Sequence, residues 1–404
     1  MTTQTHSLPS TANVTLPPAA TRKLEKTLLA GGIILLLITI ALAFINKDFT
    51  KQFAHSWLFA FYFFFTLTLG GIFWVILQHT TNAGWSIVVR RQMENIGANI
   101  PLIALLALPL IPVLPYLYKW MDPQYTAGDP IYAHKQGFLN IPFFTIRALF
   151  YFGTLIYLIH LLRRHSIAQD HDGYPTHTLR LQKISFIALP LFAVITTFSA
   201  IDWLMALDFH WYSTMWGVYI FAGSALSSLA FLIILTFTLQ RLGYLNDVIN
   251  KEHYHLMGKL LLAFTVFWAY IAFSQYMLIW YSNIPEETTF YIQRNQGSWY
   301  WLSLLLVIGH FIIPFLLLLF QITKRKPHIL ASIAAWLLLM HAADHYWIIL
   351  PRKHPQGIFL HIMDLTAWLG MAALFTAFLI RNARNSALIP LRDPRLQESL
   401  HVSN

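Results

Sequence analysis

Cysteine is absent from the 404 residues. That excludes disulfides, thiolate-ligated iron–sulfur clusters and thiolate-ligated haem from this chain. Charge is scarce as well. Asp, Glu, Lys and Arg make up 11% of the sequence, where a soluble globular domain carries about a quarter. No polar stretch is long enough to form a soluble domain between the apolar runs, and no run of alternating polarity calls for a β-barrel. What fills the chain is apolar: 57% hydrophobic residues, 16% aromatic residues and a mean hydropathy of +0.54. This is the composition of an all-α polytopic membrane protein. The net charge of +10 reads as the positive-inside bias of such a protein and not as a nucleic-acid signal.

Ten apolar runs are long enough to cross the roughly 20-residue hydrocarbon core as helices. They cover about 28–45, 57–79, 96–117, 142–163, 184–204, 213–240, 256–281, 299–322, 327–350 and 361–380. The first follows Arg22, Lys23 and Lys26, and its length separates it from a signal peptide, whose apolar region runs about 7–15 residues. The expected organisation is a disordered tail over 1–26, a ten-helix membrane domain over 27–381 and a second tail over 382–404. The longest loops expected are 118–141 and 164–183. An even number of spans puts both termini on one side. Nineteen of the 27 Lys and Arg fall on that side, seven on the other, and Arg147 lies within a span. Both termini are therefore expected in the cytoplasm.

A charge at mid-bilayer costs on the order of 3 kcal/mol, so ionisable residues there face protein or water. Those within or at the ends of spans are His79, Arg147, His160, Asp202, His310, His341, Asp344, His345, His361 and Asp364. Arg147 on the fourth span requires an acid, and Asp202 on the fifth runs to the same side. They form either a fixed ion pair or a pair that handles protons or quinol. In MHAADHYW, His341, Asp344 and His345 stand at i, i+3 and i+4, and HIMD repeats the i, i+3 spacing with His361 and Asp364. The two segments are expected to share one polar layer. Metal ligation, interhelical hydrogen bonding and a proton-conducting half-channel each fit that spacing. His79 and His160 have the matched depth that bis-histidine haem needs, but nothing around them specifies haem. FSAIDWLM and MHAADHYW each carry an acid near the outer end of a span, four spans apart. That is a weak repeat and would relate spans 2–5 to spans 6–9. The helices read as unbroken, which counts against a transporter.

Three stretches, QHTTNAGWSIVVRRQMENI, FSAIDWLMALDFHWYSTMWGVYIFAGSALSSLA and HLMGKLLLAFTVFWAYIAFSQYMLIWYSNIPEETTFY, resemble the second large NrfD-type (ActF-type) membrane subunit of bacterial alternative complex III. The most specific part is FWAYIAFSQYMLIWYSNIPEET, residues 267–288. The resemblance spans the chain except its tails. It implies ten spans in two four-helix bundles plus two peripheral helices, in a bacterial inner membrane. It also implies a place in a quinol:cytochrome c oxidoreductase. The partners implied are a second NrfD-like subunit, an iron–sulfur subunit and multihaem cytochrome c subunits, with a terminal oxidase downstream and membrane lipid around. No covalently bound or metal-ligated cofactor is implied for this chain. Contact with menaquinone or ubiquinone and a proton-translocation pathway are implied. No cofactor ligand carries over residue by residue. An ion or solute transporter and a purely structural anchor remain as alternatives.

The charge bias makes a direct prediction: a reporter fused to the C-terminus will be active in the form that works in the cytoplasm. Activity only in the periplasmic form reverses the orientation.

Overall fold

The computed structural model describes residues 13–403, and among them helices account for nearly all regular structure, with no strand. Ten helices are long and apolar enough to cross a membrane: α1 Pro18–Ala43, α2 Lys47–Thr80, α3 Ile87–Leu117, α4 Ile141–Asp172, α5 Thr176–Leu207, α6 Trp216–Arg241, α7 Lys251–Ser282, α8 Trp299–Leu319, α9 Pro327–Arg352 and α10 Ile362–Arg384. Each overlaps one of the ten apolar runs, and four of the runs (28–45, 213–240, 299–322 and 361–380) extend one to three residues past a helix end. The chain is an all-α, multi-pass membrane protein.

Helices α2 to α5 pack as one four-helix bundle and α6 to α9 as a second. The bundles meet where α2 lies along α6, and α1 and α10 pair outside them with α10 also against α2. Helix α2 is therefore surrounded by protein nearly throughout. Its run FAFYFFF is buried on all faces, as expected of a helix that is apolar all round. Its contact with α6 is closest at Gly70, where a Cβ would stand 2.0 Å from the Ser224 carbonyl oxygen. Small residues allow such backbone approach between membrane helices.

Ion pairs sort onto the two faces that the span count requires. Arg384–Glu25 (2.5 Å) and Arg325–Glu252 (2.9 Å) lie on the face of the termini. Lys353–Asp48 (2.5 Å) and Arg352–Asp208 (3.3 Å) lie on the other.

The tails and loops differ from the sequence expectations. Residues 1–12 of the expected N-terminal tail lie outside the described residues, and α1 already begins at Pro18. The expected loop 164–183 is helical except at 173–175, because α4 runs to Asp172 and ends at Gly173 in the left-handed conformation (φ 72°). The loop 118–141 contains short helices, among them Pro123–Thr126 and Pro130–Lys135, each started by an aspartate that caps it. The segment after α10 folds back onto α3 and α4, burying Leu388, Ile389 and Leu396. A buried charge network holds it there. Arg90 pairs with Asp393 at 2.5 Å, and Arg91 with Glu94 at 3.0 Å and Asp170 at 2.9 Å. Asp170 also accepts the Leu391 N–H at 2.8 Å.

The helices are not unbroken. Helix α3 is interrupted at Ala98–Asn99, and its prolines turn 108–113 into a 3₁₀ segment. Within α8, residues 306–312 form a π segment that carries His310.

Gly70→Ala should push α2 and α6 apart, because the atom it meets is backbone, at a cost of about 1–3 kcal/mol. The yield of folded protein and its midpoint of thermal unfolding should fall. Gly31→Ala, with nothing within 4 Å, should leave both unchanged.

Candidate functional site

In the first bundle, Asp202 is fully partnered. Arg147 donates to it through Nε at 2.8 Å and Nη2 at 2.6 Å, and the Tyr151 hydroxyl donates at 2.7 Å. The third arm of Arg147 donates to the Phe138 carbonyl at 3.0 Å. Its guanidinium lies 3.8 Å from the Phe138 ring centroid and 4.3 Å from that of Phe143. A bidentate pair with its other donors satisfied is the geometry of a fixed structural bridge.

In the second bundle, Asp344 stands near the same end of α9 and also accepts a hydrogen bond from a buried tyrosine, Tyr219 of α6. Here the likeness stops. No Lys or Arg lies within ion-pair distance of Asp344 among the described residues. The Trp268 indole N–H approaches the carboxylate without completing a hydrogen bond. Two histidines, His341 and His345, stand beside this acid, and a third, His310, packs against Trp268. The Thr66 hydroxyl donates to the Phe63 carbonyl at 2.9 Å and stands 3.0 Å from His341 Nε2. The hydroxyl is within reach of both groups, and the other ring nitrogen of His341, Nδ1, is bare of any partner among the described residues. His345 Nδ1 lies 2.9 Å from the His341 carbonyl, which can only accept, so Nε2 of His345 is the bare nitrogen. Neither bare nitrogen has a partner among the described residues, nor does either nitrogen of His310, whose ring centroid lies 3.8 Å from that of Trp268 in a tilted pair. Gly223 of α6 makes the room: a Cβ there would stand 3.1 Å from His341 Cε1.

Ligand-type atoms of His341, Asp344 and His345 lie within 4.8 Å of one another, a spacing that one cation would accept. Tyr219 and Thr66 already fix two of the three residues through hydrogen bonds, and we assign no metal to them.

The expected single polar layer does not form. Asp364 accepts from Ser56 at 2.5 Å, Gln52 at 3.2 Å and the His361 backbone N–H at 2.9 Å. No hydrogen bond joins this group to the His341 cluster among the described residues. The reason is packing. Helix α10 docks on α1 and α2, and Phe63 of α2 stands between, with its ring 5.6 Å from His341 and 5.3 Å from Trp368. The His361/Asp364 spacing is a capping box that starts α10. His79 and His160 are not a pair either. His79 is buried with Nε2 unpartnered, whereas His160 is exposed.

Beside the Asp344 cluster lies a cavity of about 470 Å³, between α7 and α8. Its outer wall includes the exposed residues Val266, Tyr270 and Phe273, and its inner end includes Tyr219, Trp268 and Gln275. Gln275 accepts from Ser213 at 2.9 Å and donates to the Tyr291 hydroxyl at 3.0 Å. Sequence reasoning missed Tyr219, Gln275 and Tyr291. Aromatic and amide residues in an apolar run carry no charge signal, and only the assembled bundle brings them together.

No protein-family model and no curated protein matches this chain.

Removing one partner of the Arg147–Asp202 pair leaves an uncompensated buried charge, at a cost of about 3–5 kcal/mol. Arg147→Met and Asp202→Asn should each reduce assembly sharply, and the double variant should lose less than the sum of the two. Additive losses in a thermal-unfolding cycle would show that the two do not act as a pair.

Proposed function

We propose that the chain is an integral membrane subunit of a quinol-oxidising respiratory complex of the alternative complex III type, itself without a redox metal. In this reading it contributes a quinone-contacting cavity and a proton pathway. The observation that carries it is the cavity between α7 and α8, walled by apolar residues and lined also by Tyr219, whose hydroxyl is hydrogen-bonded to Asp344. An amphiphilic quinol has matching ends: an isoprenoid tail for the apolar wall and a dihydroxy ring for the polar one. Tyr219, Asp344 and the bare nitrogens of His341 and His345 form a chain of groups able to take up and pass a proton. The motif resemblance over 267–288 covers part of α7, which lines the same cavity. The reading places the protein in a bacterial inner membrane with both termini cytoplasmic, beside iron–sulfur and multihaem cytochrome c subunits that carry the electrons.

An ion or solute transporter is the second reading. Its support is the interrupted α3 and the π segment at His310, since transporter sites are built on broken helices and π segments recur at functional positions. Purification from native membranes separates the two readings. Co-isolation of multihaem cytochromes favours the first, and a solitary chain favours the second.

Asp344→Asn keeps shape and most hydrogen bonding but removes the titratable group. The variant complex should assemble normally, while quinol turnover or its coupling to proton movement falls by ten-fold or more, given the roughly 10²–10⁴-fold worth of a positioned acid–base group. Wild-type turnover and coupling in a fully assembled Asp344→Asn complex would sink the relay.

A further inference from the structure

Four arginines are buried among the described residues: Arg90, Arg91, Arg147 and Arg294. The first three each hold a carboxylate within 2.9 Å or less. Arg294, 2% exposed, has none within ion-pair distance. It sits at the C-terminal end of the short helix Pro285–Arg294, on the face opposite the termini. Its guanidinium donates to three backbone carbonyls: Trp347 at 2.9 Å, Phe290 at 2.8 Å and Ile348 at 2.6 Å. Two of these lie in the last turns of α9, where the helix dipole supplies roughly half a negative charge. That leaves part of the cation uncompensated and two of its five N–H groups uncommitted. Burial pulls its pKa down to about 9, so the charge persists at neutral pH.

Arg294 does not face a solid wall. It lines a cavity of about 250 Å³ together with Arg352, Thr289, Gln293, Trp211 and Asp208. Arg352 pairs with Asp208 at 3.3 Å, so the cavity holds two guanidinium groups and one carboxylate. The surplus is positive and partly desolvated, which is where an anion gains most. Planar guanidinium forks suit phosphate oxygens. At about 30 Å³ per water, the volume admits a tetrahedral oxyanion with a few waters. Trp211 and Trp347, beside Arg294, belong to the interfacial aromatic level of a membrane helix bundle, the depth of lipid headgroups.

We propose that the Arg294–Arg352 cavity is a phosphate-binding site on the face of the protein opposite its termini. The ligand is a phosphate oxyanion, carried either by a phospholipid headgroup or by free inorganic phosphate. The site lies outside the Asp344 cluster and does not depend on the quinol reading.

The test uses the full-length protein, delipidated in a maltoside detergent. Inorganic phosphate is titrated in one arm and phosphatidylglycerol in the other, with a phosphate-free galactolipid as control. Binding is read as a saturable rise in the thermal unfolding midpoint and, for lipid, as retained mass in native mass spectrometry. Saturable binding of inorganic phosphate supports the site with a free oxyanion as occupant. Binding of phosphatidylglycerol alone supports it with a headgroup as occupant. In either case Arg352→Gln, at a partly exposed position that should still fold, must weaken binding at least ten-fold. Arg294→Lys, which keeps the charge but loses the fork, must weaken it as well. No saturable response to either phosphate source, or unchanged binding in Arg352→Gln, overturns the proposal.

Discussion

The close approach of α2 and α6 is the constraint on which the rest of this structure depends. Gly70 lets the two backbones come together, and that contact joins the bundles and removes α2 from lipid. Once α2 is enclosed, every polar group on its flanks must be satisfied by protein or by something bound within it. Thr66 meets His341 on one side and Gln52 and Ser56 meet Asp364 on another. The polar clusters are therefore separated by an aromatic wall, and Phe63 is part of it.

The two bundles put an acid at corresponding places and treat it differently. Asp202 has an arginine, a tyrosine and no remaining need. Asp344 has a tyrosine, a passing indole and two histidines, each with an unpartnered ring nitrogen. The two acids therefore differ in neutralisation: Asp202 ties α4 to α5 through Arg147, whereas Asp344 has no cation within ion-pair distance among the described residues. The distinction rests on Arg147 having no counterpart beside Asp344, which a comparison of the two short motifs alone does not reveal.

The ten helices and their pairing of faces were legible in the sequence, because hydropathy and span length are local properties. So was the need of Arg147 for Asp202, since a cation inside an apolar run demands an acid on a neighbouring helix. The breaks in α3 and α8 were not read, although Pro109 and Pro112 stand in the sequence as the mark of the 3₁₀ segment in α3; the π segment at His310 has no comparable mark. The misreading of His361 and Asp364 has a physical origin as well. The same i, i+3 spacing serves a helix cap and a helix-face cluster, and only the position of the helix start tells them apart. Arg294 stayed hidden because it lies between spans, where a basic residue looks solvated.

The network at the base of the first bundle bears on how the chain matures. Arg90 enters the membrane domain early in synthesis, yet its acid, Asp393, is 303 residues further along. Arg91 likewise waits for Asp170. Before the segment after α10 docks, Glu94 is the one carboxylate of this network carried by α3 itself. The segment after α10 acts as a clasp across α3 and α4, since Asp393 meets Arg90 and the Leu391 N–H meets Asp170.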